Sequence, residues 1–307
     1  MTANPMITEK GNTKQKNLTI LAWSIIALLS VPQIILSETG WELPPGPFGL
    51  SLLGWIRIIL LAMMWSLSLF WSEIKPLGGF FLAFLAFWVT EMFLEPLIFA
   101  RDAWTNLLER SSTGLYMLLN TIQQRVLLIT MVALTLVGSG IGLQKLYLVW
   151  GNPKAPASPT RLLQGNKTVP WNKVVWGWLP YYVVIVLLII WFQVRPTYTQ
   201  VSQAFVFIPA LFLAALLNAF GEEFIFRSVM LARLQPAVGS QQAIWMAAGL
   251  FGLMHYFGYP NGIPGVLLAA YLGWIAAKSM VETGGFVWAM LIHIIGDFLL
   301  YFFMAML

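Results

Sequence analysis

Nine apolar runs, each close to the length that crosses a bilayer, follow one another through this chain. They lie near residues 18–36, 50–71, 77–100, 126–144, 174–194, 204–232, 241–257, 264–281 and 286–306. A spanning helix needs about 20 predominantly apolar residues, and runs of this kind read as membrane helices. The expected fold is therefore all-α, a polytopic membrane helix bundle of about eight to nine transmembrane helices. The seventh and eighth runs are short, so eight spans or a re-entrant segment stay open.

Composition points the same way. Hydrophobic residues make up 59% of the chain, charged residues only 9%, and the mean hydropathy is +0.78. A soluble domain carries about a quarter charged residues. Cysteine is absent, which removes disulfides, thiolate nucleophiles and Cys-type metal sites. The net charge of +5 is no sign of nucleic acid, because the lysines and arginines fall between apolar runs, where they set topology. Membrane lipids are the expected surroundings.

The polar lead with Lys10, Lys14 and Lys16 enters the first run without a small-x-small cleavage site after Leu36. The first helix is expected to stay as an anchor, with the N-terminus in the cytoplasm and the protein multi-pass in the cell (plasma) membrane. With that orientation twelve lysines and arginines fall on the inner side and five (Arg57, Arg101, Arg110, Arg125 and Arg195) on the outer side. The stretch 101–125 is the exception, with three arginines on the outer face. Either it is an interfacial amphipathic helix, or the third crossing is misplaced.

No internal repeat is visible. The most polar stretch, basic and rich in proline and glycine, runs over 145–173. It suggests three parts: 1–150, an N-terminal transmembrane region of unassigned role; 151–173, a basic cytoplasmic loop; and 174–307, a C-terminal helical core.

The chemistry lies in the last part. Glu222, Glu223 and Arg227 interrupt the apolar run AFVFIPALFLAALLNAFGEEFIFRSVML. A charge at the centre of a spanning helix costs about 2.5–3.5 kcal/mol on insertion scales. The chain has two histidines, His255 and His293, both inside apolar runs. His293 and Asp297 are four apart, as are Glu223 and Arg227, and residues four apart share a helix face. Taken singly, a membrane histidine is an ordinary interhelical hydrogen-bonding group and Glu223–Arg227 an ordinary ion pair. Taken together on three helices, these groups call for one shared polar site.

Three motifs stand in order on separate helices: EEFIFR at 222–227, FGLMH at 251–255 and HIIGD at 293–297. This ordered set resembles the CPBP family, which comprises type II CAAX-prenyl endopeptidases and bacteriocin-processing or self-immunity intramembrane proteases. The resemblance covers roughly 174–307. It implies an intramembrane endopeptidase that hydrolyses a peptide bond with activated water, using Glu222, Glu223, Arg227, His255, His293 and Asp297. In that scheme Glu222 is the general base, His255 holds the water, His293 stabilises the tetrahedral oxyanion and Arg227 orients Glu223. Many relatives carry Asn where this chain has Asp297. The aspartate either donates while protonated or orients His293 as an acceptor. No cofactor is implied, and the expected partner is a peptide or protein substrate, with or without a lipidated C-terminal tail.

Other chemistries fit less well. A zinc protease remains the metal-dependent alternative, although no H-E-x-x-H is present. An aspartyl protease would need a second intramembrane aspartate, and Asp102 lies outside the motif-bearing runs. A serine mechanism lacks G-x-S-x-G, and Ser139 reads as helix packing. From another class, a transporter or proton relay also buries carboxylates and histidines. Glu91 and Glu95, four apart beside Pro96, feed that reading but fit an interfacial acidic pair. A catalytically silent scaffold of the same fold is the third alternative.

Overall fold

The computed structural model describes residues 5–137 and 140–307, so Ser139 lies outside the described residues. Thirteen α-helices are seen among them: α1 (Pro5–Thr39), α2 (Leu52–Phe70), α3 (Gly78–Val89), α4 (Glu95–Phe99), α5 (Asp102–Glu109), α6 (Thr113–Leu134), α7 (Trp171–Val194), α8 (Tyr198–Ala204), α9 (Ile208–Glu223), α10 (Met230–Val238), α11 (Ser240–Met254), α12 (Gly262–Thr283) and α13 (Val287–Met304). Two-residue strands β1 (Pro156–Ala157) and β2 (Val169–Pro170) pair antiparallel. The expected all-α membrane architecture is what the chain forms.

Among the described residues eight helical stretches are long and apolar enough to cross a membrane: Thr13–Thr39, Leu52–Phe70, Lys75–Phe99, Thr113–Leu134, Trp171–Ile189, Tyr198–Val238, Gly262–Thr283 and Val287–Met304. The expected run at 241–257 is not one of them. It forms α11, whose 15 residues reach about 22 Å at 1.5 Å per residue, short of a hydrocarbon core about 30 Å thick. Its apolar character serves burial in protein, with Ala243, Ile244, Met246, Ala247, Ala248, Leu250 and Phe251 all inside.

The stretch 101–125 needs a second correction. It is divided between α5 and the first half of α6, and the span expected over 126–144 begins instead at Thr113. Arg125 is therefore inside a span and not in an outer loop. Arg57 is too, on α2, with 6% of its surface exposed and its guanidinium 4.1 Å above the Trp88 ring, a favourable place for a cation.

The chain divides into two compact units, each gathered from separate stretches. The first comprises Met1–Met92, Met131–Ile141 and Phe226–Ala277. Here α1 packs on α10 and α11, and α2 on α3. Helix α3 is apolar all round and puts Phe80, Phe81, Phe84 and Phe87 into the core. Phe226 meets Phe84 at 6.4 Å and Phe87 at 5.8 Å, and meets Phe251 of α11 at 5.8 Å. Such tilted and edge-to-face ring pairs each add about 0.5–1.5 kcal/mol beyond their buried area.

The second unit comprises Phe93–Thr130, Gly142–Ile225 and Lys278–Leu307. Its centre is the pairing of α9 with α13, with α7 against α13. The outer face of α7 exposes Trp176, Tyr181, Ile185, Leu188 and Phe192, an apolar surface suited to lipid and unfavourable in water. Helix α6 holds its polar stretch in place with partners from the same unit. Trp104 donates to Gln123 at 2.6 Å, and Gln123 donates to Glu95 at 3.1 Å. Glu91 lies in the π-helical turn Thr90–Leu94, and Glu95 opens α4 just before Pro96, which has no N–H to continue the ladder.

The basic segment before α7 is folded. Asn152 donates its backbone N–H to Thr283, Phe286 to Val149, and Trp171 to Ala155. Glu282 on α12 accepts from the Trp171 indole at 2.9 Å and from the Ser158 backbone at 3.2 Å, and it pairs with Lys278. Lys145, Lys154, Arg161, Lys167 and Lys173 all stay exposed on this segment.

Candidate active site

Two of the three motifs meet in the second unit. Glu222 and Glu223 end α9, with 7% and 1% of their surface exposed. His293 stands one α13 turn before Asp297, as the four-residue spacing predicts. Because α9 and α13 pack side by side, the imidazole reaches all three carboxylates. Its Nδ1 is 2.6 Å from Glu223 Oε1. Its Nε2 faces Glu222 Oε2 at 3.4 Å and Asp297 Oδ1 at 3.5 Å.

Three carboxylates around one imidazole need positive charge and donors, and the structure supplies both from residues the motifs do not contain. Arg125 of α6 donates through Nη2 to Glu222 Oε1 at 2.5 Å and through Nε to Asn218 Oδ1 at 2.7 Å. Asn218, one turn before Glu222 on α9, donates through Nδ2 to Asp297 Oδ2 at 2.9 Å. The result is a closed circuit: Arg125, Glu222, His293, Asp297, Asn218 and back to Arg125. Glu223 hangs from its histidine. The stem of Arg125 crosses Gly221, where a Cβ would stand 3.1 Å from the arginine Cδ.

The geometry fixes what each group can offer. Both ring nitrogens of His293 face carboxylate oxygens, so each needs a hydrogen on the ring or on the facing carboxyl. The circuit can pass a proton between Glu222, His293 and Asp297 with small movements. Arg125 places a positive charge against Glu222 inside a span, where a lone charge is costly.

The first unit holds the other motif residues. Arg227 lies in the π-helical turn Phe224–Val229, 1% exposed, with its guanidinium 3.6 Å above the Phe251 ring. His255 follows α11 and opens a 3-10 turn. Its ring lies tilted against the same phenylalanine, with centroids 4.1 Å apart, and its Nδ1 lies 2.8 Å from the Phe251 carbonyl. A carbonyl only accepts, so Nδ1 carries the hydrogen. Phe251 thus positions both Arg227 and His255. The motif's phenylalanine is a mount for its cation and its histidine.

Residues 204–299 match the family of type II CAAX prenyl endopeptidase Rce1-like proteins. The segment that carries the carboxylate–imidazole cluster is Rce1-like. With its eight candidate spans, the chain is an integral membrane protein with a segment similar to a protease family, as the resemblance to the CPBP family led one to expect. No curated protein and no solved structure matches it. The Rce1-like segment covers about a third of the chain, and within it fall Asn218, Glu222, Glu223, Arg227, His255, His293 and Asp297. Arg125 falls outside, on a helix that the motif reading leaves unassigned.

Sequence reasoning missed Arg125 and Asn218. A signal existed for each. Arg125 is a charge in an otherwise spanning stretch once Thr113 is taken as the start, and it requires a counter-charge. Asn218 precedes Glu222 by four residues and shares its helix face.

Proposed function

We propose that this protein is an intramembrane endopeptidase that hydrolyses a peptide bond with water activated by glutamate and histidine. The observation that carries this reading is the cluster of Glu222, Glu223, His293 and Asp297 buried together inside the Rce1-like segment. Glu222 takes the proton of the attacking water, with Arg125 holding one of its oxygens in place. By the family resemblance, His255 is the residue that holds or shares that water. Glu223, His293 and Asp297 form the relay that returns the proton to the leaving amine. Arg227 supplies a fixed positive charge on the chain segment that follows Glu223. Asp297 accepts from Asn218 and faces the imidazole, which favours the role of orienting acceptor over that of protonated donor.

The substrate in this reading is a peptide or protein segment in the membrane, with a lipidated C-terminal tail as one candidate class. The N-terminus is placed in the cytoplasm and the protein in the plasma membrane, on the balance of positive charge. The three-part division of the chain at 150 and 173 is likewise a functional proposal, with Arg125 now giving the first part a contribution to the site.

The test is cleavage of a fluorogenic peptide anchored in vesicles by the purified protein. Wild-type activity reduced at least about 10²-fold in Glu222→Gln and in His255→Ala supports the enzyme. Undiminished cleavage by Glu222→Gln overturns it, and substrate-driven proton flux without cleavage replaces it with a transporter. Loss of activity with chelators, restored by zinc, replaces the metal-free mechanism with a metalloprotease.

A further inference from the structure

One hydroxyl beside the cluster has no task in this mechanism. Tyr182 of α7 points at Gly296 of α13, between His293 and Asp297 in the chain. A Cβ built on Gly296 would stand 2.1 Å from the tyrosine Oη and 3.3 Å from Cζ. The hydroxyl therefore occupies the space that any larger residue at 296 would fill. The phenol is fixed from its other side by the Trp178 ring, stacked at 5.0 Å with 10° between the planes. His293 and Asp297 are both close enough for their charges to act on it. Among the described residues no hydrogen bond engages this hydroxyl. Tyr182 is half-buried, so this rigidly held hydroxyl next to a reactive cluster keeps an open side from which to donate.

Peptide hydrolysis supplies one. When the water oxygen bonds to the carbonyl carbon, its proton goes to Glu222 and the carbonyl π pair moves onto oxygen. The resulting oxyanion needs donors until it re-forms the carbonyl and the carbon–nitrogen bond breaks, with a proton passed to the amine. His293 is ill placed to be the sole donor, because both of its nitrogens face carboxylates. Asp297 accepts from Asn218. We propose that Tyr182 is a catalytic residue whose hydroxyl donates a hydrogen bond to the oxyanion, with Gly296 present to leave it room. This rests on the endopeptidase reading.

Tyr182→Phe keeps the ring and removes only the hydroxyl. Loss of one oxyanion donor lowers kcat by about 10²–10³-fold, with KM changed less than about two-fold. A phosphonate peptide that mimics the tetrahedral state loses binding by the same factor, while an uncleavable substrate-like peptide binds as before. Glu222→Gln is measured alongside. If Tyr182→Phe keeps full kcat and phosphonate affinity while Glu222→Gln is dead, Tyr182 has no such role and the endopeptidase reading stands. If wild type cleaves nothing, or both variants cleave normally, the reading falls and the role of Tyr182 with it. A second arm needs no activity: Gly296→Ala destabilises the wild-type protein and costs clearly less in the Tyr182→Phe background. Equal cost in both backgrounds would contradict the contact on which the proposal stands.

Discussion

Asp297 shows how one atom's partner decides a side chain's chemistry. An amide could donate to an oxyanion, and by composition alone Asn and Asp look interchangeable here. In this site both oxygens of Asp297 accept, from Asn218 Nδ2 at 2.9 Å and toward His293 Nε2 at 3.5 Å. Asp297→Asn turns an NH₂ group toward one of these donors and should lower kcat by about 10²-fold or more, as removal of an orienting aspartate does elsewhere. The exchange Asn218→Asp with Asp297→Asn should recover much of that loss. The carboxylate introduced on α9 would accept from both Arg125 and the new amide on α13, and the amide oxygen would face the histidine. Recovery is read in kcat of the single and double variants, and a double variant no better than Asp297→Asn alone would contradict the circuit.

At the scale of elements, the basic segment 145–173 is a folded platform held on α12 and α13. Its anchor is Glu282, which collects Lys278, the Ser158 hydroxyl and backbone, and the Trp171 indole. Removing one acceptor from four donors leaves partly buried groups unsatisfied, at about 1–3 kcal/mol. Glu282→Ala should accordingly lower stability by that amount in an SDS-unfolding titration, and protease sites between Lys154 and Lys167 should open. Glu282→Gln keeps an acceptor and should fall between the two. None of these contacts could be read from the segment itself, because prolines, glycines and lysines in a row look alike whether they are folded or loose.

Across the whole molecule, the sequence made most helices and the polar quartet of α9 and α13 legible, since both depend on local spacing. Runs of apolar residues mark spans, and i, i+4 pairs mark faces. What stayed hidden depends on contacts far apart in the chain. Arg125 and Gln123 look like loop residues until Glu222 and Glu95 accept from them, and α11 looks like a span until its burial within protein is seen. Eight crossings in place of nine also change the topology: the segments before the first span, at Thr13, and after the last, at Met304, then fall on one side of the membrane. With the N-terminus cytoplasmic, green fluorescent protein fused after Leu307 should fluoresce, and a periplasmic-type phosphatase fused there should stay inactive. The opposite pattern would restore a ninth crossing. The bond between Arg125 and Glu222 has a further consequence, in time. Its partners are 97 residues apart, so at about 5–20 residues per second the ribosome delivers the glutamate about 5–20 s after the arginine. During that interval α6, whose hydropathy of 1.4 is as low as any candidate span's, waits for the carboxylate that α9 brings to its arginine.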